Sequence, residues 1–222
     1  MLSYKKKLYF VLALIILFLM VLIFKQISTA YKISVSPANK NLIDNKMTEI
    51  PSDLNDPLFG NQGAAITIVE FVDLNSKDSR EIHRQIKNFV ANYPTKIRLI
   101  WKDLPEPNMF NSKASISHQA AWCVYKQDKN KFWTFTDAML DKKSINDTNV
   151  LKNLIDELKI NNTSWQQCLD STEAKTKVET SLSLGNSLGI FSAPAMFINN
   201  KKINYLDEIN MVDFLNEIIK EY

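Results

Sequence analysis

From Ala65 to Val72 the chain reads AITIVEFV, an apolar, β-branched run bounded by Gly63 and by Asp73-Leu74-Asn75. Such a run fits a strand buried on both faces. A helix is predicted to follow: Asn75 or Ser76 caps it, Asp78 favours its first turn, and Ile82, Ile86, Phe89 and Val90 form a stripe at helical spacing before Pro94 ends it. Lys96 to Trp101, KIRLIW, is a second strand candidate that stops at Asp103-Leu104-Pro105. From about Ser112 to Thr180 apolar residues recur every three or four positions, as at Leu151, Leu154, Ile155 and Leu158, which predicts an all-helical insertion. The strand signal returns at Pro194-Ala-Met-Phe-Ile198, and Asn199-Asn200 supplies a tight turn into Lys201-Lys202-Ile203-Asn204. Asp207 to Tyr222 closes the chain as an amphipathic helix. The order is strand, helix, strand, helical block, strand hairpin, helix, an α/β layout.

The N-terminus adds a different constraint. Leu8 to Phe24 carries no charge and sits at the short limit of the ~17–25 residues that span a bilayer. Lys5, Lys6 and Lys7 precede it, so the positive-inside rule puts residues 1–7 in the cytoplasm and everything after Lys25 on the other side of the membrane. The expectation is an uncleaved anchor over 8–24. A cleaved signal peptide is the alternative, because Ser28 and Ala30 make a small-x-small pattern, although the apolar core exceeds the ~7–15 residues usual there. Residues 25–55 are polar, carry Pro37 and Pro51 and read as a tether, with one compact domain over 56–222. Lys5, Lys6, Lys7, Lys25 and Lys32 precede any acidic residue, so the net +3 of the chain falls by five to −2 for residues 33–222. That balance does not indicate a nucleic-acid partner. Cys123 and Cys168 would close a loop of about 46 residues. The reading favours a structural disulfide over two buried free thiols or a relocated redox pair.

Several short segments then fall into a known order. Asp56-Pro57 and Gly60-Asn61 precede the first strand, Ile68-Val-Glu-Phe71 lies within it and Asp73 follows it. Trp101-Lys-Asp103 with Pro105, Lys131-Phe-Trp133, Gln167-Cys-Leu169 and Leu188-Gly-Ile190 come next, and Pro194 leads into Met196-Phe-Ile-Asn199. Over roughly residues 56–222 the chain resembles the DsbA-type thiol–disulfide oxidoreductases, which have a thioredoxin-like fold with an inserted helical domain. The resemblance implies thiol–disulfide exchange in the folding of envelope proteins. Family members carry Cys-Pro-x-Cys at the start of the first helix, and here that place reads Ser76-Lys77-Asp78-Ser79. A family thiol reacts as thiolate, made available by the helix N-terminus. A serine hydroxyl there has too high a pKa for an effect of about 1 kcal/mol to matter, and it forms no mixed disulfide.

The resemblance implies two further assignments. Pro194, after Ala193, lies where the family holds a cis-proline against an extended substrate backbone, and Glu70 matches the acid buried beneath the dithiol. Without thiols, Glu70 reads better as an acid at a strand end held by local hydrogen bonds. Ser76, Ser79 and His83 stand at helical spacing, but capping alone explains the serines, and a nucleophile would need a base and an oxyanion hole. His83 and His118 are isolated in sequence, no His, Cys, Asp and Glu cluster has metal-ligand spacing, and no cofactor is implied. Trp122, Tyr125, Phe132, Trp133 and Phe135 read as core. The expectation is a redox-inactive, membrane-tethered protein that binds an extended or unfolded polypeptide or an envelope partner. The alternatives are an oxidoreductase acting through Cys123 and Cys168, or a structural subunit of an envelope complex.

Overall fold

The structure, a computed structural model, describes residues 9, 14, 16–22, 42–52, 55–106, 116–141, 147–204, 206 and 209–221. The chain divides into two compact units, Met1–Ile43 and Asp44–Tyr222. In the first, residues 16–22 are helical. Much of the anchor expected over 8–24, and residues 25–41 of the expected tether, lie outside the described residues. Among the described residues no helix is long and apolar enough to cross a membrane.

The second unit is built on a six-stranded sheet. Its elements are β1 (Ile43–Met47), β2 (Leu58–Gly60), β3 (Ile66–Val72), α1 (Lys77–Asn92), β4 (Ile97–Asp103), α2 (Ile116–Gln127), α3 (Lys129–Asp141), α4 (Thr148–Glu157), α5 (Asn162–Leu169), α6 (Thr172–Ser187), β5 (Ala195–Ile198), β6 (Lys201–Ile203) and α7 (Met211–Glu221). The strand order is β1-β6-β5-β3-β4-β2. β3 runs parallel to β4, with Glu70 opposite Trp101, and antiparallel to β5, with Glu70 opposite Met196. A central strand with two neighbours must be apolar on both faces, which is why β3 and β4 are legible as short apolar runs. One face of the sheet packs Val69, Phe71, Ile100 and Phe197 with Leu104 and Ile190 in an apolar cluster that Leu182, Leu184 and Leu188 adjoin. On the other face, Glu70 and Trp101 meet α1 and α3 through His83 and Trp133. Among the described residues the helical insertion comprises five helices, α2 to α6, between β4 and β5.

The folded unit starts earlier than residue 56, the boundary read from sequence. β1 lies at one edge of the sheet, Ile50 is in the apolar cluster, and Lys102 Nζ donates to the Pro51 carbonyl at 2.9 Å. Ile43–Met47 reads IDNKM, and an edge strand needs no second apolar face, so periodicity does not reveal it. Asn199 and Asn200 both adopt positive φ, at 46° and 67°, as a type I′ hairpin turn between β5 and β6 requires. Gly60, at the end of β2, has φ +96°, and a Cβ there would sit 2.6 Å from the Ile97 carbonyl oxygen. Gly60→Ala is expected to cost about 1–3 kcal/mol, read as a lower urea midpoint at unchanged m-value.

Candidate functional site at the start of α1

Ser76 is the N-cap of α1, with extended backbone (φ −79°, ψ 128°). Its Oγ accepts from the Ser79 N–H at 3.1 Å, which satisfies one of the helix's unpaired amides. Ser79 is fully buried one turn in, and its Oγ accepts from the Asp73 N–H at 3.2 Å. Asp73 Oδ1 in turn accepts from the Asn75 N–H at 2.9 Å. Both hydroxyls therefore serve the backbone of the turn that launches the helix. Ser79 and His83 are both buried on one side of α1, but among the described residues no hydrogen bond joins His83 to either serine. The nucleophile constellation that the spacing suggested is not assembled.

Beside the helix start, the Ala193–Pro194 peptide bond is cis. It forms one wall of a groove of about 860 Å³, with Asp78, Glu81 and Ile82 of α1 facing it and Leu206 and Ile209 behind. Phe191 stands at its rim, 75% exposed, a large apolar surface left open to solvent. Ala193 and Pro194 line this groove together with residues of α1, whereas Ser76 and Ser79 are not among its lining residues.

Beneath the helix lie two buried histidine–carboxylate clusters, and both correct the view of His83 and His118 as isolated. Glu70 sits within β3, not at its end. It is fully buried and lies 2.8 Å from His83 Nδ1, its partner across the interface with α1. Trp133 stacks on the His83 ring and Trp101 meets it edge-on, with centroids at 6.1 and 5.1 Å. His118, from α2, places Nδ1 2.8 Å from Asp103 Oδ1, and Trp101 Nε1 donates to the same oxygen at 2.8 Å. Its Nε2 lies 3.4 Å from Asp73 Oδ1 and 3.2 Å from the Leu74 N–H. Asp73, His118 and Asp103 are separated in sequence by the β3–α1–β4 unit and the turn after it, so only the fold assembles them. The one sequence signal was Asp103 closing a strand near a helix that carries a histidine.

Burial pulls the His118 pKa down, but hydrogen bonds and attraction from Asp103 and Asp73 outweigh it and raise the pKa from 6.5 to about 9. Burial also tends to raise Asp73. His118 and the backbone donors of Asn75 and Glu106 overcome that and hold Asp73 below its ordinary value. The charged ring directs Nε2–H at Asp73, and the neutral ring instead accepts from Leu74. An unfolded chain releases the His118 proton near pH 6.5 and the folded one near 9, so the stabilisation is complete below 6.5 and is lost as pH rises through about 9. The Asp73 contribution runs the other way, present above 3.8 and lost as pH falls below it. Urea unfolding from about pH 6 to about pH 9.5 is expected to show stability falling by on the order of 3 kcal/mol. A flat profile over that window refutes the charged triad.

Cys123 in α2 and Cys168 in α5 form a disulfide across a separation of 45 residues, with Cα atoms 5.7 Å apart. Cys123 is fully buried, and Trp165 Nε1 donates to the Ala120 carbonyl at 3.2 Å beside it. The bond lies inside the helical block. Trp122, Tyr125, Phe132, Trp133 and Phe135 are all buried there, as core residues. Among the described residues no group of three or more His, Cys, Asp or Glu side chains is arranged to hold a metal ion.

Comparison with known proteins places this geometry. A family model described as thioredoxin matches residues 52–221. The disulfide bond formation protein D of Bacillus subtilis (strain 168) is 24% identical over 183 residues, spanning 77% of this chain and 80% of that protein. The oxidised BdbD structure from Bacillus subtilis superposes with a TM-score of 0.65 at 20% identity, covering 80% of this chain and 97% of that one. The thiol–disulfide exchange protein alpha-DsbA2 from Wolbachia pipientis superposes equally well, with a TM-score of 0.65 at 20% identity over 76% of this chain and 88% of that one. With a family match over most of its length, the chain belongs to the thioredoxin family, and it carries a helical insertion between β4 and β5.

Proposed function

We propose that the chain is an extracytoplasmic, membrane-tethered DsbA-like protein that has lost dithiol exchange and holds an extended polypeptide in the groove beside Pro194. The observation that carries this reading is the start of α1. By the resemblance, Ser76 and Ser79 stand where the family carries its two thiols, and each hydroxyl here is engaged by a backbone N–H. Thiol–disulfide exchange proceeds by thiolate attack on sulfur, and neither position offers a sulfur. The groove supports binding without that chemistry, since the cis Ala193–Pro194 peptide, exposed Phe191 and the side of α1 still face one another. The anchor over 8–24 and the lysines before it supply the tether and the orientation in this reading.

The name of the Bacillus relative motivates a second reading, disulfide exchange through Cys123 and Cys168. Cys168 is only half-buried, so attack would have to come at its sulfur and displace Cys123 as a fully buried thiolate, a leaving group that apolar burial disfavours. Insulin reduction by the full chain separates the two. The binding reading expects turnover at the buffer level and saturable binding of a labelled, permanently unfolded polypeptide, weakened roughly tenfold by Phe191→Ser. Turnover above buffer that disappears in Cys123→Ala sinks it.

A further inference from the structure

α1 carries two different sides. Asp78, Glu81, Ile82 and Gln85 line the groove, whereas Arg80, His83, Arg84 and Lys87, at spacings of three and four, line a second pocket of about 270 Å³ against α3. With 3.6 residues per turn these two sets fall on opposite faces of the helix. We propose that this second pocket is a binding site for a small oxyanion, a phosphate or a carboxylate group of similar size, and that it is independent of the polypeptide groove.

The argument rests on two buried nitrogens without partners. His83 is held on one side only. Nδ1 faces Glu70 at 2.8 Å, the ring is clamped by Trp133 and Trp101, and the side chain is 1% exposed. Its other nitrogen, Nε2, has no hydrogen-bond partner among the described residues. The nearest carboxylate oxygen, Asp137 Oδ1, lies 3.7 Å away, beyond hydrogen-bond reach. Arg80 Nε, in the same pocket, is likewise buried and has no partner among the described residues. Unmet buried polar atoms are costly, and two of them in the lining of one small pocket call for a ligand.

Charge selects the kind of ligand. Lys87 is paired with Asp137, Arg84 with Asp141, and Glu70 faces His83, whereas among the described residues no carboxylate is paired with Arg80. A cation would meet three basic side chains, Arg80, Arg84 and Lys87, along the α1 wall of the pocket. An oxyanion instead accepts from Arg80 and from His83 Nε2–H, with Arg84 and Lys87 close by.

The test is titration of the full chain with inorganic phosphate by calorimetry at constant ionic strength, with chloride and acetate as parallel arms. Saturable phosphate binding is expected, and chloride should give none. Acetate binding as tightly as phosphate marks a carboxylate site, and phosphate alone marks a phosphate site. Arg80→Gln, a change at a half-buried position, should weaken binding at least about tenfold while leaving thermal unfolding in place. Heat that never saturates, equal affinity in Arg80→Gln, or saturable zinc binding without any response to phosphate each overturns the proposal.

Discussion

Ser76→Cys combined with Ser79→Cys is expected to give a chain that forms a disulfide at the start of α1 under mild oxidant and then reduces insulin well above the unsubstituted protein. Ser76 is half-buried at the N-cap and Ser79 is buried one turn in, so the first new thiol faces solvent and the second lies beneath it. The unpaired amides and dipole of the helix N-terminus favour a thiolate at the first position. Asp78, in the same turn, opposes it, so adding Asp78→Ala should raise the rate further. The substitution also removes two hydroxyl acceptors, for Ser79 N–H and Asp73 N–H, and stability should fall by about 1 kcal/mol per lost cap interaction. Thiol titration after oxidation reads the first outcome and insulin turnover the second. A folded variant that keeps both thiols free under oxidant shows that the helix start no longer has the family's geometry.

Breaking the Cys123–Cys168 bond should be the most destabilising simple change. Its loop of 45 residues contributes on the order of 4 kcal/mol by restricting the unfolded chain. For a domain of this size that corresponds to a fall in Tm of roughly 8–16 °C. Thermal unfolding with and without reductant, and of the Cys123→Ala, Cys168→Ala double variant, checks it. The effect should concentrate in α2 and α5, which the bond, Trp165 and the reciprocal Gln127–Asn161 hydrogen bonds tie together, while amide exchange in β3 and β4 changes little. An unchanged Tm in reductant would falsify a stabilising role and return attention to exchange chemistry.

The parts of the fold legible in the sequence are those where local and tertiary preferences coincide. β3 and β4 are buried on both faces and read as apolar runs, Ser76 caps α1 as a serine at that place should, and Asn199-Asn200 makes the turn its φ preference allows. β1 and β2 were missed because short edge strands need neither length nor alternation, and IDNKM has neither. The groove at Pro194 was legible only by resemblance, since nothing local in Ser192-Ala193-Pro194 says that α1 will face it. The histidine clusters were barely legible, with Asp103 at a strand end as their one local signal. Glu70 and His83 are 13 residues apart on a strand and a helix whose facing sides are set by packing, and His118 meets Asp73 across 45 residues. Neither distance has a sequence period to betray it.

The central ladder has a consequence for how the molecule comes together in time. β3 pairs Ile68–Phe71 with Ile198–Ala195, so the middle of the sheet joins segments more than half the chain apart. During synthesis β3 can align with β4 as soon as residue 103 has emerged, yet its other edge stays open until residue 198 follows. The five helices in between are local structures that form early, and the slow step is the late arrival of β5. Until then the nascent protein displays an unpaired apolar strand edge, an aggregation-prone surface, and that exposure ends only when residue 198 has emerged.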